Sequence, residues 1–136
     1  TQTMTVAEDS DITGFADLNG QTVAVKTGTQ GATYAESLKD EYGFNITYFE
    51  DSPTMYQAVL GGQCVACFED TPIMKASIKD GGLALKVLDD TASDPAPYGF
   101  AIFSADSQEL LDMFNAGLAD IKANGKYDEI LAKYLG

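Results

Sequence analysis

Histidine is absent from this sequence of 136 residues, and its absence narrows the chemistry available to the chain. Histidine is the commonest side chain for acid–base catalysis near neutral pH and the commonest metal ligand in proteins. Hydrolase triads that depend on histidine, and zinc sites built on it, are therefore excluded. We expect no catalytic residue, no metal site and no cofactor.

Basic residues are few, since 8 Lys and Arg stand against 21 Asp and Glu and give a formal net charge of −13. A surface with this excess repels nucleic acids and anionic membranes, so neither is an expected partner. No stretch approaches the roughly 20 apolar residues of a membrane span, and the N-terminus has no signal-peptide character. With 45% hydrophobic residues, the chain can still bury the core of an ordinary domain.

Cysteine occurs only twice, as Cys64 and Cys67. Residues 63–68 are predicted to form a short buried strand, in which an odd separation directs the two thiols to opposite faces. No second pair completes a zinc site, and no Lys or Arg of the strand stabilises a thiolate. We therefore expect two inert buried thiols; a redox pair or half of a zinc site is the alternative.

Stretches rich in β-forming residues alternate with helix-compatible segments along most of the chain. Strands are predicted over residues 4–7, 22–26, 45–49, 63–68 and 83–88. Helices are predicted over residues 32–42, from a capping Ser52 to Gly61–Gly62, and from Pro72 onward. This alternation predicts an α/β fold with a mostly parallel sheet and helices on its faces.

The pattern changes after Pro97, where we place a lobe boundary. Residues 98–103 have strand character, and only helices follow. Asp106, with Glu109 three residues later, is typical of a capping-box start. Each of the last two helices has an apolar stripe that needs covering, and core packing is the ordinary use of such a stripe. The stripes are Leu110, Leu111, Phe114, Leu118 and Ile121, and Tyr127, Ile130, Leu131 and Tyr134.

Two loops that follow predicted strands are candidate ligand contacts, because open α/β sheets bind ligands beyond the carboxyl ends of their strands. In the first loop, Gly28 lets the backbone turn closely, and the following helix start suits an anion such as a carboxylate. Thr29 adds a hydroxyl and Lys26 a cation, and Gln30 completes the loop. An ordinary turn with a capping threonine is the alternative.

The second loop carries Asp70 at the end of a strand and shortly before Pro72. Its carboxylate could pair with a ligand ammonium group, although aspartate at this position is often a helix cap. Together the two loops present an anion receptor and a cation receptor. An amino-acid zwitterion has that complementarity.

Four segments resemble the polar amino-acid-binding proteins of ABC importers, and among them the glutamine-binding proteins. They are DLNGQTVAVKTGTQG (residues 17–31), GGQCVACFEDTP (61–72), YGFAIF (98–103) and LADIKANGKYDEILAKYLG (118–136). They occur in the family's order and extend over nearly the whole chain. The resemblance implies an extracytoplasmic binding protein, in the periplasm or at the cell surface, whose partners are an amino acid and the membrane subunit of an importer.

Proteins of this kind have two α/β lobes joined by hinge strands, with the ligand in the cleft between them. The resemblance implies a hinge strand over residues 1–6, the second lobe over 7–97, and a hinge strand with helices of the first lobe over 98–136. It also implies that Lys26 contacts the ligand side chain, that Thr29 and Gln30 contact the α-carboxylate, and that Asp70 contacts the α-ammonium group.

The sequence departs from the family pattern at Glu69, where glutamine binders can have histidine, and at Val65, where aspartate is frequent. The N-terminal part of the first lobe, which supplies an arginine and an aromatic clamp, lies outside this sequence. We therefore expect the chain alone to bind amino acids weakly or not at all. We also expect self-association through the uncovered stripe of residues 110–121.

Two other classes of function fit the same fold. A ligand-sensing domain of a receptor or channel is the first alternative, since function does not follow from fold. An enzyme is the second, because a few dehydratases resemble this fold. Asp70 and Glu69 have no evident acid–base partner in the sequence, so we rank a binding protein above an enzyme.

Overall fold

The computed structural model describes residues 1–135 and divides the chain into two compact units. The first unit is Thr1–Ala96, and the second begins at Pro97. Residues 1–6, for which we predicted a hinge strand, lie in the same unit as the sheet that follows. The lobe and hinge assignments themselves stay predictions.

The first unit is built from five strands, three α-helices and two short 3-10 helices. The strands are β1 (Gln2–Ala7), β2 (Thr22–Lys26), β3 (Asn45–Phe49), β4 (Ala66–Asp70) and β5 (Leu85–Leu88). The helices are α1 (Gln30–Tyr42), α2 (Ser52–Leu60) and α3 (Thr71–Gly81), with 3-10 turns at Phe15–Leu18 and Asp89–Thr91.

The five strands form one sheet in the order β3-β2-β4-β1-β5. β2 pairs in parallel with β3 and with β4, whereas β1 is antiparallel to both of its neighbours, β4 and β5. Four strands therefore run in one direction, which confirms the mostly parallel α/β architecture. The register pairs Gln2 with Asp70 and Val6 with Ala66.

Helices cover both faces of the sheet, and each face has its own core. On one face, α1 packs with Val23, Val25 and Phe68. On the other face, α2 and α3 contribute Met55 and Met74 to a cluster with the remaining strand residues. Because β4 is buried at all five positions, it is the central strand on which both cores rest.

Helix boundaries follow from the caps. Thr29 caps α1, and Gly43 ends it in the left-handed conformation. The cap of α2 is Asp51, whose carboxylate accepts a hydrogen bond from the Thr54 amide at 2.8 Å. Our assignment of Ser52 as the cap is therefore wrong, because the helix already begins at that residue.

The predicted strand over residues 63–68 is displaced in the structure, since β4 runs from Ala66 to Asp70. Cys64 precedes the strand and does not follow its alternation. Cys64 and Cys67 therefore lie in the same core cluster, and the prediction that they occupy opposite faces is wrong. Both thiols are free and buried, as expected.

The second unit contains a 3-10 turn (Ala105–Ser107) and the helices α4 (Gln108–Ala123) and α5 (Lys126–Leu135). Residues 98–103 form no strand in the described part of the chain, because no neighbouring strand pairs with their backbone. Within the described chain, Asp106 and Glu109 do not form the predicted capping box. Instead, Ser104 Oγ accepts a hydrogen bond from the Asp106 amide and starts the 3-10 turn.

Neither α4 nor α5 has a buried residue within the described chain. Phe100 stacks on Phe114 with 3.9 Å between ring centroids, but Phe114 remains 37% exposed and Leu110 53% exposed. The two predicted apolar stripes are thus present and largely exposed to solvent.

Candidate functional site

At one edge of the sheet, one end of each of the five strands lies close to the first residues of the helices. The carboxyl ends of β2, β3, β4 and β5 lie there, together with the amino end of β1, because β1 is antiparallel to its neighbours. We call this edge the carboxyl edge. Helices α1, α2 and α3 begin beside it, so their unpaired N–H groups and positive dipole ends are gathered at one place.

The first loop of the carboxyl edge is fastened by its own polar groups. Thr29 Oγ donates a hydrogen bond to the Lys26 carbonyl at 2.7 Å and accepts one from the Ala32 amide at 3.2 Å. Gly28 has a φ of +71°, which glycine adopts without strain, and a Cβ there would meet nothing within 4 Å. The loop is therefore a capped turn whose backbone remains open to a ligand, and Gln30 is the first residue of the helix that follows.

Asp70 ends β4 and is only 9% exposed. It occupies the cap position of α3 without making a capping hydrogen bond from its side chain. Instead, its Oδ1 accepts a hydrogen bond from Gln2 Nε2 at 3.0 Å. Burial raises the pKa of the Asp70 carboxyl group, while the hydrogen bond from Gln2 partly offsets that rise. A carboxylate held this way is a suitable partner for a ligand cation.

A second carboxylate, Glu69, lies at the carboxyl edge inside a hydrogen-bonded cluster. Lys26 Nζ donates to Ser52 Oγ at 2.7 Å, and Ser52 Oγ donates to Glu69 Oε2 at 2.8 Å. The Lys26 ammonium lies 3.6 Å from the same carboxylate oxygen, which also accepts from the Tyr56 hydroxyl at 3.3 Å. We call these four side chains the Lys26–Glu69 cluster. Glu69 itself is 4% exposed.

The predicted ligand contacts divide between the two faces of the sheet. Side chains alternate along a strand, so Glu69 shares the α2 face with Cys67, while Asp70 shares the α1 face with Phe68. Lys26 lies with Glu69, and Asp70 lies with Gln2. A ligand that contacted both Lys26 and Asp70 would therefore extend across the end of the sheet.

A cavity of about 300 Å³ opens beside the Asp70 side of the carboxyl edge. Most of its lining surface is apolar, although nearly all of the residues that supply it have polar side chains: Thr1, Gln2, Gln30, Thr33, Tyr34, Ser37, Ser93, Asp94 and Ala96. Gln30 is the predicted ligand residue that it contains, and the other four lie outside its lining. The residues that sequence reasoning missed are Gln2, Ser52 and Tyr56, since their roles depend on pairing between segments 13 to 68 residues apart.

The two thiols are unsuited to reaction. Burial raises the pKa of Cys64 and raises that of Cys67 further, so neither forms a thiolate readily. Among residues 1–135, no group of three or more Cys, Asp or Glu side chains is arranged to hold a metal ion. No helix in the described chain is long and apolar enough to cross a membrane.

Comparisons with known proteins agree with this architecture. Residues 1–136 match the profile of the bacterial extracellular solute-binding proteins, family 3. The arginine-binding periplasmic protein of Mannheimia haemolytica is 30% identical over 127 residues, which are 91% of this chain and 52% of that protein. The chain thus spans about half the length of the curated relatives it matches.

Two solved structures are also similar. The GlnP substrate-binding domain 2 of Lactococcus lactis, in an open conformation, has a TM-score of 0.70 and 35% identity over 98% of this chain and 57% of that one. An ancestral arginine-binding protein bound to glutamine has a TM-score of 0.78 and 28% identity over 99% of this chain and 59% of that one.

Proposed function

This chain belongs to the bacterial extracellular solute-binding proteins of family 3, and on that premise we propose that it supplies one side of an amino-acid site in an ABC importer. The protein that carries it would work outside the cytoplasm and deliver its ligand to the importer's membrane subunit. It would bind its ligand without chemical turnover. The observation that carries the proposal is the carboxyl edge, where an anion receptor and a buried carboxylate are brought together.

The zwitterionic part of the ligand has a matching group at each end. The α1 start, with the open Gly28 backbone and Thr29 and Gln30, suits an α-carboxylate. Asp70 suits the α-ammonium group, because its carboxylate ends a central strand and is mostly withdrawn from water. We assign the ligand side chain to Lys26 and propose glutamine as the ligand.

The test is calorimetric titration of glutamine, glutamate, arginine and histidine into the natural protein that contains residues 1–136. Asp70→Asn should weaken glutamine binding by about 2 kcal/mol or more, since it removes the charge opposite the ammonium group. Asp80→Asn is the matched control, because Asp80 is exposed near the opposite end of α3. Absence of binding by all four amino acids would refute the proposed function.

The effect of Asp70→Asn on the stability of the fold distinguishes a binding role of Asp70 from a structural one. Burial raises its pKa in the folded state, so ionised Asp70 costs stability at neutral pH, and this cost disappears as the pH falls through the raised pKa. We expect Asp70→Asn to leave the melting temperature at pH 7 unchanged or slightly higher. Ligand affinity of the natural protein should fall on acidification in that same pH range. A large loss of stability in Asp70→Asn would favour a structural role.

A further inference from the structure

Glu69 is the buried charge of the carboxyl edge that the proposed ligand contacts do not use. Its Oε2 accepts hydrogen bonds from Ser52 and Tyr56, and its Oε1 accepts one from the Asp70 amide at 3.1 Å. Its side chain is 5% exposed, whereas that of Lys26 is 27% exposed. A ligand at the edge can therefore reach Lys26 more readily than Glu69, and Glu69 acts through its neighbours.

We propose that Glu69 sets the charge selectivity of the site by neutralising Lys26, so that the side-chain end accepts an uncharged amide and rejects a carboxylate. The inference rests on the proposed amino-acid site. The ammonium and the carboxylate lie 3.6 Å apart, and Ser52 Oγ bridges them. At this separation the Glu69 carboxylate offsets part of the positive charge that a group in contact with Lys26 experiences, and more of it for a group further away.

The remaining charges around the edge are matched by the zwitterion. The α1 start takes the α-carboxylate, and Asp70 takes the α-ammonium group. Asp51, which caps α2, is a further carboxylate near Lys26. The Thr54 hydrogen bonds lower its pKa, and the Lys26 charge adds a smaller lowering. A glutamate side chain would bring an anion to a Lys26 that is already paired, and an arginine side chain would bring a second cation beside Lys26. An amide brings no charge and can accept a hydrogen bond from Lys26.

The test is selectivity in the natural protein that contains residues 1–136, measured by calorimetric titration of glutamine, glutamate and arginine at pH 7. Glu69→Gln removes the carboxylate that is paired with the Lys26 cation. It should raise glutamate affinity relative to glutamine affinity by about tenfold or more. Lys26→Met should act in the opposite sense, favouring arginine over glutamate, and it provides a second test if Glu69→Gln fails to fold.

The double variant Lys26→Met with Glu69→Gln distinguishes charge from packing. It removes both charges, so the preference of glutamine over glutamate should return toward that of the unmodified protein, although all affinities fall. If Glu69→Gln weakens glutamine and glutamate equally, Glu69 only supports the fold and the inference is wrong. The inference also fails if the unmodified protein prefers glutamate or arginine, whereas binding of none of the three would refute the proposed function and this inference with it.

Discussion

Thr5 lies in the middle of β1 with 0% exposure, and within the described chain its hydroxyl has no hydrogen-bond partner. A buried hydroxyl without a partner has lost its bonds to water and gained none in return. Thr3, on the same strand and equally buried, instead donates to Thr71 Oγ at 3.2 Å. Two threonines of one strand thus differ in a single interaction.

We predict that Thr5→Val stabilises the protein by about 1 kcal/mol, because it removes the unpaired hydroxyl and keeps the β-branched shape. Thr3→Val is the control and should destabilise by a similar amount, since it removes the hydrogen bond that Thr3 donates to Thr71. Urea unfolding of both variants measures the difference. Equal effects of the two substitutions would show that the Thr5 hydroxyl does have a partner in solution.

At the scale of elements, the contact between α1 and β4 depends on Gly31. A Cβ atom at this position would lie 2.7 Å from the Phe68 carbonyl oxygen, and backbone cannot move aside as a flexible side chain could. The helix that carries the proposed anion receptor is therefore held close to the central strand because this residue has no side chain.

Gly31→Ala should destabilise by about 1–3 kcal/mol through overpacking, although alanine is the better helix former. Gly117→Ala in α4 is the matched control, since a Cβ there meets nothing within 4 Å, and it should stabilise by up to about 1 kcal/mol. Thermal or denaturant unfolding of the two variants checks the signs. A stabilised Gly31→Ala variant would mean that α1 can move away from β4 without cost.

Sequence patterns predict elements better than they predict pairing. β2 and β3 have the predicted bounds, because each is a compact β-forming stretch between turn residues. The position of β1 between β4 and β5 is fixed by contacts with residues 66–88, which no local pattern reveals. The hydrogen bond from Gln2 to Asp70 could not be predicted either, because it also depends on the pairing of β1 with β4. Residues 98–103 show the converse, since β-forming composition alone makes no strand without a partner.

In the candidate site, too, the positions of the residues could be predicted from sequence but their pairing could not. Lys26, Gly28, Thr29, Gln30 and Asp70 are found at one edge of the sheet because the carboxyl ends of parallel strands meet there, which the α/β pattern predicts. Their roles as ligand contacts stay proposals. To predict the pairing of Lys26 with Glu69, one must know that both side chains extend to the same face of the sheet. That depends on where each strand begins, which the sequence pattern does not define closely enough.

At the scale of the molecule, both core clusters lie within the first unit. We predict that residues 1–96 alone fold and unfold cooperatively, because every residue of the two clusters is retained. Circular dichroism during heating and the dispersion of amide NMR signals would test this. A non-cooperative melt of the shortened chain would show that the second unit is needed for the fold.

The exposed stripes of α4 and α5 lead to a different expectation for the 136-residue chain. We predict that it self-associates as its concentration rises, since Leu110, Ile130 and Tyr134 are 53%, 42% and 65% exposed. Residues 1–96 are the control and should remain monomeric. Sedimentation velocity over a range of concentrations compares the two, and a strictly monomeric 136-residue chain would contradict the prediction.

The placement of β1 also governs the order in which the sheet can be completed during synthesis. Among the five strands of the sheet, β1 leaves the ribosome first, yet both of its partners, β4 and β5, lie between residues 66 and 88. β2 and β3 can pair as soon as Phe49 has emerged. β1, which is buried along its middle in the finished sheet, must therefore wait unpaired until residues 66–88 have been synthesised, as a nascent edge open to chaperones or to aggregation.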